Sequence, residues 1–293
     1  MKKMEMRNSL LFVLFIQCIS FLGMAQKIIS NQNNAWVLYT GNHKISKKLG
    51  VHTEYQWRRA DFFNDWQQSL LRVGLDYYHN PNITFTAGYA SIISYQYGEQ
   101  PISHQTHENR IWEQVNLKAK YGRFDMQHRY RMEQRLIDNW SNSSGAFVQG
   151  KDNYRNRVRY RMMVNVPLSR KEMANNTLFL NINDELFLGY GKGIAKNILD
   201  QNRFIAALGW RFNPNFNIQL GYLNQMVFKS DGITVERNHT LWLSTTYNID
   251  FTKFKIRCDS WPTKKPYRFS LGLFFMFLNK FLLNIRNCTC MII

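Results

Sequence analysis

Arginine stands at every second position in two separate stretches. Arg129, Arg131 and Arg135, with Glu133 among them, fall in "HRYRMEQR" (128–135), and Arg155, Arg157, Arg159 and Arg161 fall in "YRNRVRYR" (154–161). A helix would spread these side chains around its axis, whereas a strand sends residues i, i+2 and i+4 to one face. The opposite parity is mostly apolar: Phe124, Met126, His128, Tyr130, Met132 and Leu136 in the first stretch, and Tyr154, Val158, Tyr160, Met162, Val164 and Val166 in the second. Both are therefore two-faced strands, one face charged and the other apolar.

The same alternation gives eleven candidate strands: 35–45, 49–59, 67–78, 83–97, 108–120, 124–138, 154–167, 177–189, 201–212, 216–228 and 238–251. Most exceed the ~5–6 residues usual in soluble sheets and suit a tilted membrane crossing. Connections alternate between tight Asn/Pro/Gly turns, such as "NPN" at 80–82 and 213–215, and longer polar links, such as "SNSSGAFVQGKDN". Tyrosine, tryptophan and phenylalanine recur near strand ends. A soluble β-sandwich also alternates, but it does not account for those aromatics or for so charged a polar face. The expected fold is all-β, a membrane-spanning antiparallel up-and-down barrel. Bacterial single-chain barrels have even strand numbers, so twelve strands are expected, with ten as the alternative. Either Lys27–Asn34 supplies a further strand or one of the first two is not a full crossing. The last strand places Leu241, Leu243, Tyr247, Ile249 and Phe251 on one face and ends on an aromatic, resembling the signal read by barrel-assembly machinery.

Residues 1–25 carry a basic start, the apolar run "SLLFVLFIQCISFLGMA" and small residues before Ala25, the pattern of a cleaved signal peptide. Gln17 argues against lipoprotein processing at Cys18. Residues 26–253 contain no cysteine, which suits an exported chain. Residues 254–293 break the alternation and hold three of the four cysteines, and they read as a frameshift or read-through extension. Of the formal net charge of +18, +2 lies in residues 1–25 and +6 in 254–293, leaving +10 for the barrel.

The segments "FNDWQQSLLRVGLDYY" (63–78), "FTAGYA" (85–90), "HENRIWEQ" (107–114), "HRYRMEQR" (128–135), "RVRYR" (157–161) and "NHTLWLSTTYNIDF" (238–251) together resemble the domain-of-unknown-function family 2490, predicted outer-membrane proteins of Gram-negative bacteria. The resemblance runs from about Trp36 to Phe251. It implies a barrel with an outer-membrane address and no established activity.

With the apolar parity towards lipid, the polar parity faces the lumen. That face carries Arg58, Arg72, Arg110, Arg129, Arg131, Arg135, Arg155, Arg157, Arg159, Arg161, Arg203 and Arg211 against Glu54, Asp76, Glu108, Glu133 and Glu185. Two readings follow. Arg110, Arg129, Arg131, Arg135, Arg155, Arg157, Arg159 and Arg161 could line an anion-selective, porin-like pore for small acidic solutes, since pores select anions with Arg and Lys ladders. Alternatively, Glu54, Glu108, Glu133 and Glu185 tie these arginines into a network filling a structural barrel without transport. A third reading is a lipid-facing hydrolase using His128, but no serine nucleophile motif accompanies it. No Cys/His spacing suggests a metal, and Gly189, Gly191 and Gly193 lack phosphate-cradle spacing. No catalytic residue or cofactor is expected. The expected partners are outer-membrane lipid, the assembly machinery and small anionic solutes. Nucleic acid is not among them, because the arginines point inward and the leader removes the chain from the cytoplasm.

Overall fold

A computed structural model of the chain describes residues 27–98, 102–191, 194 and 196–253. The leader, the C-terminal extension and Gly193 lie outside the described residues. Thirteen strands follow one another: β1 (Ile28–Lys44), β2 (Leu49–Ala60), β3 (Asp65–Asn80), β4 (Ile83–Ser94), β5 (Thr106–Tyr121), β6 (Phe124–Ile137), β7 (Trp140–Ser143), β8 (Ala146–Gln149), β9 (Asn153–Pro167), β10 (Thr177–Tyr190), β11 (Leu199–Asn213), β12 (Phe216–Phe228) and β13 (Thr234–Tyr247). Eleven of them close a barrel in the order β1-β13-β12-β11-β10-β9-β6-β5-β4-β3-β2. β7 and β8 form a separate hairpin within the β6–β9 loop.

The expected twelve strands, or ten, do not occur among the described residues. Hairpin-linked strands alternate in direction, so the first and last of an odd set run the same way and can meet only in parallel. β1 does pair in parallel with β13, from Ile28↔Thr234 to Thr40↔Thr246, and the Asn34 side-chain amide donates to Asn238 Oδ1 at 2.8 Å across this seam. Residues 27–34, one of the two routes to an even strand count, supply no separate strand: Ile28 to Asn34 belong to β1. The last strand also differs from expectation. It ends at Tyr247, and Phe251 opens a 3₁₀ turn, Phe251–Lys253. Tyr247 is therefore the aromatic that closes the final strand.

The four tight turns, 45–48, 81–82, 122–123 and 214–215, and the longer connection 168–176 fall at one end of the barrel, and the connections 61–64, 95–105, 138–152, 191–198 and 229–233 fall at the other. Along each strand, burial alternates with the parity read from the sequence: Arg129, Arg131 and Glu133 are buried on β6, while Tyr130, Met132 and Leu136 are exposed. The outer face is apolar in mid-strand, with Leu75 69%, Ile111 60% and Leu208 54% exposed. Aromatics flank it, including Tyr77, Phe85, Tyr121 and Phe124 near the tight turns and Phe63, Trp66 and Tyr154 near the loops. Outward polar groups are bonded in pairs: Glu113 with Gln134 (3.3 Å), Asp184 with Asn202 (2.8 Å), and Tyr89 with Asn109. Pairing offsets the cost of placing such groups on an apolar face.

Two apolar clusters stand inside, Trp36, Ile205, Ala207, Leu223 and Trp242 on one side and Leu70, Ala90, Ile92 and Trp112 on the other. Glycine makes room for the second. A Cβ on Gly88 would stand 2.1 Å from the Val73 carbonyl oxygen and 2.9 Å from the Trp112 ring. Gly88→Ala is therefore expected to cost about 1–3 kcal/mol through overpacking against backbone. Equilibrium unfolding of the variant checks this, and unchanged stability would show that the wall yields there.

Candidate functional site

The charged face of the barrel meets itself at mid-depth. Glu133, on β6 and 0% exposed, stands beside Trp112 of β5 and Arg157 of β9 in the strand register. Its carboxylate accepts from Arg157 Nη2 and Arg159 Nη1, both at 2.6 Å, and has Arg110 Nη1 at 3.7 Å and Arg72 Nη2 at 3.8 Å. Arg72 belongs to β3, three strands away in the sheet order, so this contact crosses the interior. Around the hub, Glu185 holds Arg129 (2.6 Å) and Arg159 (2.8 Å). Glu108 holds Arg110 and Arg135, each at 2.5 Å, and Glu54 holds Arg72 at 2.5 Å. The layer thus runs from β2 round to β10, with every carboxylate shared or bidentate, the arrangement in which buried charge is tolerated.

Aromatic rings support it from within. Arg131 lies 4.7 Å and Arg72 5.5 Å from the Trp112 ring centre. Arg157, Arg159 and Arg203 surround Phe187 at 5.0, 4.3 and 4.6 Å, and Arg58 stacks on Trp36 at 3.9 Å. Guanidinium planes over π faces gain most where water is excluded.

Cavities flank the layer. One, of about 590 Å³, lies towards the tight turns and is lined by Arg129, Arg131, Arg161, Glu185 and residues down to Lys118 and Lys120. Another, of about 270 Å³, lies towards the loops, lined by Arg58, Arg72, Arg110, Arg135, Arg157 and Tyr97. Arg159, Arg203 and Gln56 line both. At the loop end, the Tyr97 hydroxyl donates to Glu236 Oε1 at 2.6 Å, while Lys229 Nζ holds Glu236 Oε2 at 2.6 Å. Burial, then the Glu236 carboxylate, pushes the Tyr97 phenol above its ordinary range.

Of the residues singled out in the sequence, Glu54, Glu108, Glu133 and Glu185 each hold arginines, and Arg110, Arg129, Arg135, Arg157 and Arg159 are held by them. Arg131 and Arg161 instead bond carboxamides: Arg131 Nη2 to Gln114 Oε1 at 2.6 Å and Arg161 Nη2 to Gln127 Oε1 at 3.1 Å. Arg155 is solvent-exposed at the start of β9 and joins none of these ion pairs, so the expected continuous track stops at Arg157. His128 lies on the outer parity, its Nδ1 2.9 Å from the Tyr160 hydroxyl. The sequence reading missed Asp200, which accepts from Arg157 Nη1 at 2.6 Å, and Glu236. Both lie just before the strand starts read from alternation; Glu236 shares the inward parity of Asn238, whereas Asp200 stands on the outward parity of Asn202 and Phe204 and reaches Arg157 at the register shift opposite Phe187 and Leu188. It missed the inward aromatics as well.

The sequence profile of a family described as "Protein of unknown function (DUF2490)" matches residues 33–238. No curated protein and no solved structure matches the chain.

Proposed function

The chain belongs to the DUF2490 family, a membership that assigns no activity, and for this member we propose an outer-membrane β-barrel whose arginine-rich lumen is closed at mid-depth by the arginine–glutamate layer. The observation that carries the reading is Glu133, fully buried and held at 2.6 Å by two arginines from the neighbouring strand. An open anion pore requires a water path past Arg131 and Arg159, yet their exposures are 1% and 5%. Side chains locked in shared ion pairs do not pass a solute from hand to hand as a ladder of free arginines does.

The membrane address rests on the outer face. A belt of exposed leucine, isoleucine and valine with aromatic rims fits hydrocarbon between two interfaces, and strands of 12–17 residues are long enough to cross it. Outer-membrane lipid is then the partner along the whole wall, and the assembly machinery is the partner during biogenesis, with Tyr247 as the closing aromatic of β13. Hydrolysis on the outer face would need an activated serine at His128, and the group at its Nδ1 is the Tyr160 phenol. We read that pair as an interfacial contact.

Expression of the full chain in a Gram-negative host, followed by separation of the two membranes, tests the address. The protein is expected in the outer-membrane fraction, migrating faster on a gel unheated than boiled, as folded barrels do. Recovery as a soluble periplasmic protein would sink the proposal.

A further inference from the structure

We propose that the wider cavity, on the tight-turn side of the layer, binds a small oxyanion through Arg129, Arg131 and Arg161, taking a phosphoryl or carboxylate group of a solute that enters from that end. The inference rests on the closed-barrel reading only for the cavity's blind inner end.

The register creates the need for an anion. Arg129 stands directly opposite Arg161, and Arg131 directly opposite Arg159, on the adjacent strands β6 and β9. Like charges in facing positions repel. Glu185 relieves part of this by holding Arg129 and Arg159, but Arg131 and Arg161 hydrogen-bond only to neutral carboxamides. Across the interior, Arg58, Arg72, Arg110, Arg129, Arg131, Arg135, Arg157, Arg159, Arg161 and Arg203 stand against the carboxylates of Glu54, Asp76, Glu108, Glu133, Glu185, Asp200 and Glu236, ten arginines to seven acids, and Arg58, Arg131, Arg161 and Arg203 hydrogen-bond to glutamine carboxamides.

Unused donors mark the side chains that would turn to meet the anion. Arg129 Nε, Arg131 Nη1 and Arg161 Nε are buried without a hydrogen-bond partner, and all three residues line this cavity and not the one across the layer. Arg131 is 1% and Arg129 9% exposed, so water does not freely satisfy them, and Glu133 Oε1 stands 4.0 Å from Arg131 Nη1, beyond hydrogen-bond reach. Planar guanidinium forks match the oxygens of phosphate or carboxylate better than they match a spherical ion. The 590 Å³ space holds such a group with several waters. Exposed Lys118 at its lower rim would draw anions in.

Binding of inorganic phosphate and of succinate to the folded barrel in detergent micelles, at ionic strength held constant with chloride, tests this by calorimetry. Saturable binding of at least one probe at one site is expected, with chloride alone a weaker competitor. Arg161→Gln should weaken it roughly tenfold or more without lowering stability in the absence of ligand, since it removes a repelling charge. Arg155→Gln, at the exposed end of the same strand, should leave it unchanged. Should Arg161→Gln fail to fold, Arg161→Lys, which keeps the charge and loses the fork, is expected to weaken binding while retaining the barrel. No saturable binding by wild type, equal affinity in the Arg161 variants, or equal loss in Arg155→Gln would overturn the site. Because the assay needs no bilayer, an open channel that still binds phosphate would refute closure alone, and a silent barrel that binds nothing would refute this site alone.

Discussion

Glu133→Gln is expected to lower the stability of the folded barrel by about 3–5 kcal/mol, the cost of breaking a buried ion pair from one side. The substitution keeps the shape and removes the charge on which Arg157 and Arg159 converge at 2.6 Å. Asp200 still holds Arg157 and Glu185 still holds Arg159, so the layer loosens without emptying, and the expected loss sits towards the lower end of that range. The measurement is urea unfolding in phospholipid vesicles, followed by tryptophan fluorescence. Glu172→Gln supplies the comparison: its carboxylate meets Lys120 at 2.8 Å on the exposed surface, where solvent screens the pair and its loss is expected to be far smaller. A loss below 1 kcal/mol for Glu133→Gln, or equal losses for both, would mean that the hub does not hold the interior together.

Val73→Arg is the second large effect. Val73 lies in the middle of β3, on the outer parity, 44% exposed, between the inward Arg72 and Gly74. In a barrel bathed by lipid, an arginine at that depth costs about 2–4 kcal/mol, falling towards zero near the interfaces. On the water-facing surface of a soluble barrel, the same change stays within about 0.5 kcal/mol. Tyr77→Arg, on the same face near the tight-turn end, should accordingly cost less than Val73→Arg. Equal, near-zero costs at both positions would remove the membrane from the account.

Parity was legible in the sequence because a strand has a strict period of two, and it placed Arg129, Arg131, Glu133, Arg157 and Arg159 on the face where the structure buries them. Eleven strands were legible for the same reason. The way they close was not. Whether β1 meets β13 directly is decided by which two edges remain after every hairpin has formed, and no local pattern records that. Strand ends were the next loss. Asp200 and Glu236 precede the points at which alternation becomes regular, so two of the acids holding basic residues stayed hidden. Trp36, Trp112 and Phe187 share the inward parity with the arginines, but a reading that sorts apolar from polar assigns an aromatic to lipid. Their role depends on the stacking of guanidinium groups over their rings, which only the assembled interior brings about. The split between arginines held by carboxylates and those left on carboxamides was hidden too, because it depends on which partners reach across the barrel.

Closure of the lumen is tested most directly by single-channel current recording on wild-type protein inserted into planar lipid bilayers, with insertion verified by protease protection. A silent barrel is expected, with no current steps above those of the bare membrane in potassium chloride. Recurrent, anion-selective current steps from wild-type protein would contradict it, because ions would then be passing the Glu133 layer.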